Sequence, residues 1–361
     1  MHKTKIAGIG MYVPANVVTN NDLLKYMDTS DEWIQERTGI KERRYAHRTE
    51  ETTTTMGVEA ARIAIERAGI TPQDIDFIIF ATICPDYYFP GCGVLLQRAM
   101  KMKEIGALDV RNQCSGFVYA LSVGDQFIKT GMYKNILVVG AEKHSFGLDF
   151  STRGRNISVI FGDGAGAVVL QPIDPRLNDS VGQASSSSGS GILSTHLHSD
   201  GNSAEILAMY NPGTHANHWT EQKLADFDDA AIGEMFMSHA MVDKAQLFPN
   251  MDGPAVFKKA VEKFPEVILE ALKANDLQAS DLKLLIPHQA NLRISQFVQK
   301  KLRLSDEQVY NNIQKFGNTT AASIPIALCE VWEEGKIKDG DLICLAAFGS
   351  GFTWASALLK W

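Results

Sequence analysis

Nowhere in the 361 residues do 18 or more apolar residues run together, which excludes a membrane-spanning helix of ordinary length. The opening MHKTKIAGIGMYVP has too short an apolar stretch for a secretory leader and reads as a first strand, so a cytoplasmic, non-membrane protein is expected. Cysteine is scarce and odd in number. Five residues without a CxxC pair argue against a disulfide framework and against a structural zinc site, and no metal is expected. Positive charge is in deficit, 35 Lys and Arg against 42 Asp and Glu, and the net charge of −7 would be repelled by a nucleic-acid backbone. Any acidic partner must therefore meet a local basic face. No GxxxxGK(S/T) occurs, so the glycines of FGDGAG (161–166) are not a phosphate-loop signal.

What the chain does have is apolar residues, 45% of the total, enough for a large core in two domains or one duplicated one. AIERAGITPQDIDFII (64–79) and ALKANDLQASDLKLLI (271–286) align without a gap, 207 positions apart. Each reads as a helix end, a loop closing on Asp74 or Asp281, and a short strand. KTGMYKNILVVG (129–140) and EEGKIKDGDLICLA (333–346) repeat the relation with a small gap. The runs at 77–83, 135–141, 167–172, 282–288 and 341–348 are dense in Val, Ile and Leu rather than alternating, as in sheets covered by helices on both faces. An α/β protein of two copies follows, divided near residue 173 into 1–173 and 174–361, with QASSSSGSG (183–191) as a loop at the seam.

Three polar residues stand out against this background. Cys114, in RNQCSGFVYALSVGDQFIKTG, directly precedes a helical stripe of Phe117, Ala120, Leu121, Gly124, Phe127 and Ile128. A lone cysteine is ordinarily a small core hydrophobe, but at a helix start the free N–H groups and the dipole favour the nucleophilic thiolate. His288 ends a strand in LLIPHQANLRI, and Asn318 precedes an apolar helix in QKFGNTTAASIPIALCEVW. Alone, the first reads as a hydrogen-bonded histidine and the second as a turn or cap. In a pseudo-twofold α/β protein, equivalent termini of the two halves meet at the centre, where ligands bind. Cys114 from one copy can then face His288 and Asn318 from the other.

Those segments, with FGDGAGAVVL (161–170), DTSDEWIQERTGIKERR (28–44) and the closing AFGSGFTWASAL, resemble the β-ketoacyl-acyl-carrier-protein synthase III family almost end to end. The resemblance implies the thiolase fold, two fused halves in a five-layered α-β-α-β-α sandwich, and a homodimer. It implies an acyltransferase of fatty acid biosynthesis that needs no cofactor beyond the coenzyme A thioester it consumes. Cys114 would take the acyl group from acyl-coenzyme A, and malonyl-acyl carrier protein would then be decarboxylated and condensed with it. His288 and Asn318 would donate hydrogen bonds to the enolate oxygen, and the backbone N–H groups of Cys114 and Ser350 would hold the second oxyanion. Ser350 stands where the family usually has glycine; the backbone donor survives that change, and only its aim depends on the φ that serine adopts.

By the same resemblance Trp33 and Arg155 sandwich the adenine of coenzyme A, with Thr29 and Arg37 nearby and Arg153 as the alternative stacking residue. Phe89, in DYYFPG, would enter the partner subunit's acyl pocket. Lys258 and Arg293 would bind the acidic carrier protein, joined by Lys300 and Lys301; Arg293 and Lys300 are seven positions apart and share a helix face. Residues 203–250 form a stretch longer than the family's, with Ile232, Met235, Phe236, His239, Ala240 and Val242 near helical spacing, and are expected to roof the acyl tunnel. Rival readings keep the fold: a condensing enzyme of polyketide, alkylquinolone or acyl-acyl chemistry, or a non-catalytic scaffold subunit. A thiolase proper should carry a second cysteine in the final glycine loop, and AFGSGF has none. A hydroxymethylglutaryl synthase would need a glutamate near residue 82, and FATICPD has none.

Overall fold

The apolar runs become strands, and the strands sort by half. The computed structural model describes residues 2–173, 190–210, 212, 213 and 247–361. Thr4–Tyr12 (β1), Phe77–Ala81 (β2), Gly106–Val110 (β3), Ile136–Glu142 (β4) and Gly164–Pro172 (β5) form one sheet in the order β1-β5-β4-β2-β3. Gly191–Ser199 (β6), Leu284–Pro287 (β7), Leu342–Gly349 (β8) and Thr353–Lys360 (β9) form a second in the order β6-β9-β8-β7. Strand directions match throughout: β2 is parallel to β4 as β7 is to β8, and β4-β5-β1 alternates antiparallel as β8-β9-β6 does. Where β3 pairs parallel with β2, Val309 makes a single parallel bridge to Leu285 of β7.

The repeated segments land on equivalent pieces. In each, the helix ends and a 3₁₀ turn follows, closed by an aspartate accepting the N–H three residues back: Asp74 from Thr71 and Asp281 from Gln278, both at 2.8 Å. The strand β2 or β7 comes next.

Seven helices place the layers: Asp31–Thr38 (α1), Thr53–Arg67 (α2), Cys92–Ala99 (α3), Gly116–Lys129 (α4), Gly253–Lys273 (α5), Leu292–Leu302 (α6) and Ser323–Glu333 (α7). Phe117, Leu121 and Ile128 of α4 share one core with Leu328 and Val331 of α7 and with the facing sides of both sheets, through Val138 and Leu345. α2 and α3 cover the outer side of the first sheet, and α5 and α6 that of the second. The order is α-β-α-β-α, as expected. Every residue of β4 is buried, which is why its run is Val- and Ile-rich; each such side chain contributes about 1.5–3 kcal/mol by leaving water. The glycines of FGDGAG serve packing. A Cβ on Gly166 would stand 2.6 Å from that of Pro325, so glycine there lets β5 lie directly on α7.

Much of the 203–250 stretch, including all six of its apolar stripe residues, lies outside the described residues, as do 174–189. Its ends are described and lie together, with Leu207–Ala208 pairing antiparallel with Asn250–Met251.

Candidate active site

Cys114 sits where the sequence reading puts it, in a 3₁₀ turn, Gln113–Ser115, that runs directly into α4. Gln113 adopts a left-handed φ of 46°, which tightens the turn between β3 and α4. Across from it, Gly349 at the end of β8 comes so close that a Cβ there would be 2.7 Å from the Cβ of Cys114. Only glycine permits that approach. The segment Thr320–Ala322, immediately before α7, packs against the same turn. Cys114 of one half is thus enclosed by the other.

His288 follows β7, with its backbone N–H bonded to Ala346 of the neighbouring β8 at 2.7 Å. Its Nδ1 is 2.6 Å from Ser323 Oγ, while its Nε2 is buried without a partner. Burial, and secondarily the nearby His144, lowers its pKa to about 3, so the ring is neutral at any working pH. The single hydroxyl hydrogen of Ser323 can point to Thr320 O, 2.9 Å away, or to His288 Nδ1. In the second orientation Nε2 carries the ring proton and becomes a donor. Asn318 is held by a parallel bridge to Phe161, with its N–H on Ile160 O at 2.9 Å and its Oδ1 accepting the Thr320 N–H at 2.8 Å. That acceptor contact fixes the amide plane and leaves Nδ2 as the outward donor.

One expectation needs correction. The helix start was expected to favour a thiolate at Cys114, but burial, and then the charge of Glu142, push its pKa up to about 12. The N–H groups of Cys114 and Ser350 and the Thr320 hydroxyl act in the opposite direction without prevailing. The dipole of one helix is the weaker term once the sulfur leaves water. At Ser350 the left-handed conformation falls on the next residue, Gly351, at φ +134°, and the Ser350 N–H addresses the Cys114 sulfur. Its side chain instead donates a short hydrogen bond to Leu207 O.

A buried polar group that the sequence reading did not single out lies behind Cys114. Glu142, the charged end of the otherwise apolar β4, accepts from Thr82 Oγ1 at 3.0 Å, Ile83 N–H and Cys84 N–H. Burial raises its pKa to about 7. His144 lies two residues on. Cys84, Glu142 and His144 bring ligand-type atoms within 4.8 Å of one another, yet those atoms are engaged in hydrogen bonds, and burial holds the Cys84 thiol protonated. The one signal in the sequence is an acid and a histidine closing a Val/Ile run.

Trp33 projects from α1, capped by Ser30 Oγ, which accepts the Trp33 N–H at 3.1 Å. The guanidinium of Arg37 lies 4.5 Å and that of Arg155 5.0 Å from the Trp33 ring centroid. Arg155 also donates to Asp28 O, and the neighbouring Thr29 has a buried hydroxyl without a partner. Arg153 is elsewhere, paired with Asp149 at 2.7 Å and 5.9 Å from the Phe248 ring. Of the two arginines, Arg155 is the one at the indole. The sandwich is closed, however, since a base stacked on both faces needs about 7 Å between them, two contacts of ~3.5 Å. Arg155 must swing outward to admit one.

Phe89 is 81% exposed at a loop tip beside Tyr87 and Tyr88. Lys258 on α5 and Arg293, Lys300 and Lys301 on α6 are all exposed; the two helices pack together, and Arg293 lies 6.0 Å from the Phe257 ring. Arg293 and Lys300, seven positions apart on α6, share one face of that helix. Among the described residues no helix is long and apolar enough to cross a membrane.

Comparison with known proteins places this architecture. The family described as 3-oxoacyl-(acyl-carrier-protein) synthase III matches residues 108–201, and its C-terminal counterpart matches 272–361. A β-ketoacyl-(acyl-carrier-protein) synthase III of Aquifex aeolicus is 42% identical over 358 residues, 99% of each chain. The crystal structure of the 3-oxoacyl-(acyl-carrier-protein) synthase III from that organism superposes with a TM-score of 0.84, covering 99% of this chain and 100% of that one. A priming β-ketosynthase from the R1128 polyketide pathway superposes at 0.82 with 30% identity, covering 99% of this chain and 96% of that one.

Proposed function

The chain belongs to the 3-oxoacyl-(acyl-carrier-protein) synthase III family, and we propose that it condenses an acyl-coenzyme A starter with malonyl-acyl carrier protein to begin fatty acid synthesis. The observation that carries the reading is that one segment, Thr320–Ser323, joins Cys114 of one half to His288 and Asn318 of the other: Thr320 reaches the Cys114 sulfur and donates its N–H to Asn318 Oδ1, and Ser323 Oγ bonds His288 Nδ1. The division of labour between halves 1–173 and 174–361 belongs to the same proposal.

In the first half-reaction Cys114 sulfur bonds to the acyl carbon and the carbon–sulfur bond to coenzyme A breaks. The thiol proton ends on the departing coenzyme A sulfur. In the second, the malonyl carbon–carboxylate bond breaks, CO2 leaves, and the electron pair forms an enolate whose oxygen is held by His288 Nε2–H and Asn318 Nδ2–H. The enolate carbon attacks the acyl group, the tetrahedral oxyanion is held by the N–H groups of Cys114 and Ser350, and the thiolate leaves and takes a proton from solvent. Thr29, Trp33, Arg37 and Arg155 bind coenzyme A, the cations Arg37 and Arg155 serving both the ring and the phosphates. The free edge of β3 and the exposed Tyr87–Phe89 tip suit a second copy of the chain, and Phe89 would reach the partner's acyl pocket.

Incubation with a panel of acyl-coenzyme A esters, followed by malonyl-carrier protein, tests the reading by intact mass. One acyl adduct on the enzyme should form, then vanish as a β-ketoacyl-carrier product appears. If adducts form but a malonyl-carrier protein never discharges them, the acceptor assignment is wrong. Charge reversal at the carrier patch should act on one step only. Arg293→Glu is expected to raise KM for malonyl-carrier protein about tenfold or more while leaving acylation unchanged, because an exposed patch steers the acidic partner and not the thioester. The wild-type KM should also rise with salt, since the screening length is about 10 Å at 0.1 M. A salt-insensitive KM would point to an apolar docking face.

A further inference from the structure

A second buried histidine stands behind the nucleophile, and the mechanism above does not use it. His144 Nε2 lies 2.7 Å from Thr320 Oγ1, its Nδ1 lies 3.5 Å from Cys84 Sγ, and its ring packs on Phe161 at 4.5 Å between centroids. Thr320 is a β-branched residue at φ 48°, a left-handed conformation such residues rarely adopt, so its surroundings must hold it there. Every polar group of Thr320 is tied to the site. Its N–H goes to Asn318 Oδ1 at 2.8 Å, its carbonyl faces Ser323 Oγ at 2.9 Å, and its hydroxyl meets both His144 and the Cys114 sulfur.

We propose that His144 is a positioning residue for the nucleophile: its Nε2–H, donated to Thr320 Oγ1, turns the Thr320 hydroxyl hydrogen onto the Cys114 sulfur as the thiolate forms. A hydroxyl has one hydrogen, and an imidazole that donates to its oxygen leaves that hydrogen for sulfur. The Cys84 thiol lies between His144 Nδ1 and the Glu142 carboxylate, and the proposed direction requires it to donate to Nδ1, keeping the ring proton on Nε2. His144 is buried and neutral, its pKa lowered to about 3 by desolvation, so it acts through one fixed N–H and adds no charge. The hydrogen bond acts with the N–H groups of Cys114 and Ser350 and against burial and Glu142. Glu142 at the end of β4 disfavours the thiolate directly, Asp163 acts on Cys84, and neutral His288 faces His144 from the end of β7.

The inference rests on Cys114 as the acylated residue, and the test separates the two. Iodoacetamide alkylation of Cys114 in the full-length protein, followed at one fixed pH near neutrality by peptide mass spectrometry, reports access to the thiolate without any condensation. His144→Leu and Thr320→Val are each expected to slow both alkylation and acylation about tenfold, as loss of one hydrogen bond to a charged sulfur should. Thr320→Ser, which keeps the hydroxyl, should restore both rates. The double variant should be no worse than either single one, because both break the same chain. Thr320→Val exchanges a hydroxyl for a methyl of like shape, so it carries the test even if His144→Leu does not fold. An unchanged alkylation rate in a folded Thr320→Val protein overturns the proposal. A wild-type protein acylated on a cysteine other than Cys114 overturns the function reading instead.

Discussion

Cys114→Ala should yield a folded protein that gains no mass from any acyl-coenzyme A and condenses at least about a thousandfold more slowly, because no other group can hold the acyl chain. The substitution keeps the Cβ against which Gly349 packs and removes only the sulfur, so the fold has little reason to respond. Nor can another thiol substitute. Cys92, Cys329 and Cys344 are buried with pKa values raised to about 12 by desolvation, and the half-buried Cys84 thiol is pushed well up by desolvation and the adjacent Glu142. Cys114 shares the raised pKa but differs in having two N–H groups and a hydroxyl aimed at its sulfur, which favour the charged form as reaction begins. Since His288 and Asn318 remain in place, slow decarboxylation of malonyl-carrier protein should persist without condensation. Intact mass after incubation with acyl-coenzyme A, paired with CO2 release, checks both halves. Acyl mass retained in Cys114→Ala would remove the residue from its role.

The duplication was legible because it survives as aligned residues. The two aspartate-closed turns and the apolar runs that became β2, β4, β5, β7 and β8 could be read directly, as could α4 from its 3.6-residue stripe. The strands that escaped have physical reasons. In β9, TWASALLK is buried almost throughout but fills its space with Ala and Ser, so no β-branched run announces it. In β6, GILSTHLHS is half-exposed and rich in Ser and His, and β3 is an edge strand with an exposed face. The site divides in the same way. Cys114, His288 and Asn318 each mark an element end that sequence can locate. The group behind them cannot be located so, because positions 84, 142, 144 and 320 have no common spacing. The parallel pairing of Ala81 with Gly140 carries β2 and β4 to one edge, and Thr320 arrives from the other half. Arg155 rather than Arg153 at Trp33 is likewise a matter of backbone path: both are cations two residues apart, and the turn at Thr152–Gly154 decides which one faces the indole.

The opposite loss is expected from Asn318→Ala. Its Nδ2 has no part in forming the acyl-enzyme, so acylation of Cys114 should proceed at close to the wild-type rate. Decarboxylation should fall by about a hundredfold to a thousandfold, the usual cost of one donor to a developing oxyanion. His288→Ala removes the other donor to the same oxygen and should show the same asymmetry. Because both donors serve one enolate, the double variant should lose less than the product of the two single losses. A structural complication is built into the test: Asn318 Oδ1 holds the N–H of Thr320, which itself touches the nucleophile. Asn318→Asp addresses it, keeping that acceptor while replacing the amide donor with an oxygen. If Asn318→Asp acylates normally and fails to decarboxylate, the defect belongs to the missing donor. If Asn318→Ala loses acylation and decarboxylation alike but Asn318→Asp acylates normally and decarboxylates, the residue acts by holding Thr320, and the enolate assignment fails. Single-turnover measurements of acyl transfer and of CO2 release, made separately on each variant, distinguish these results.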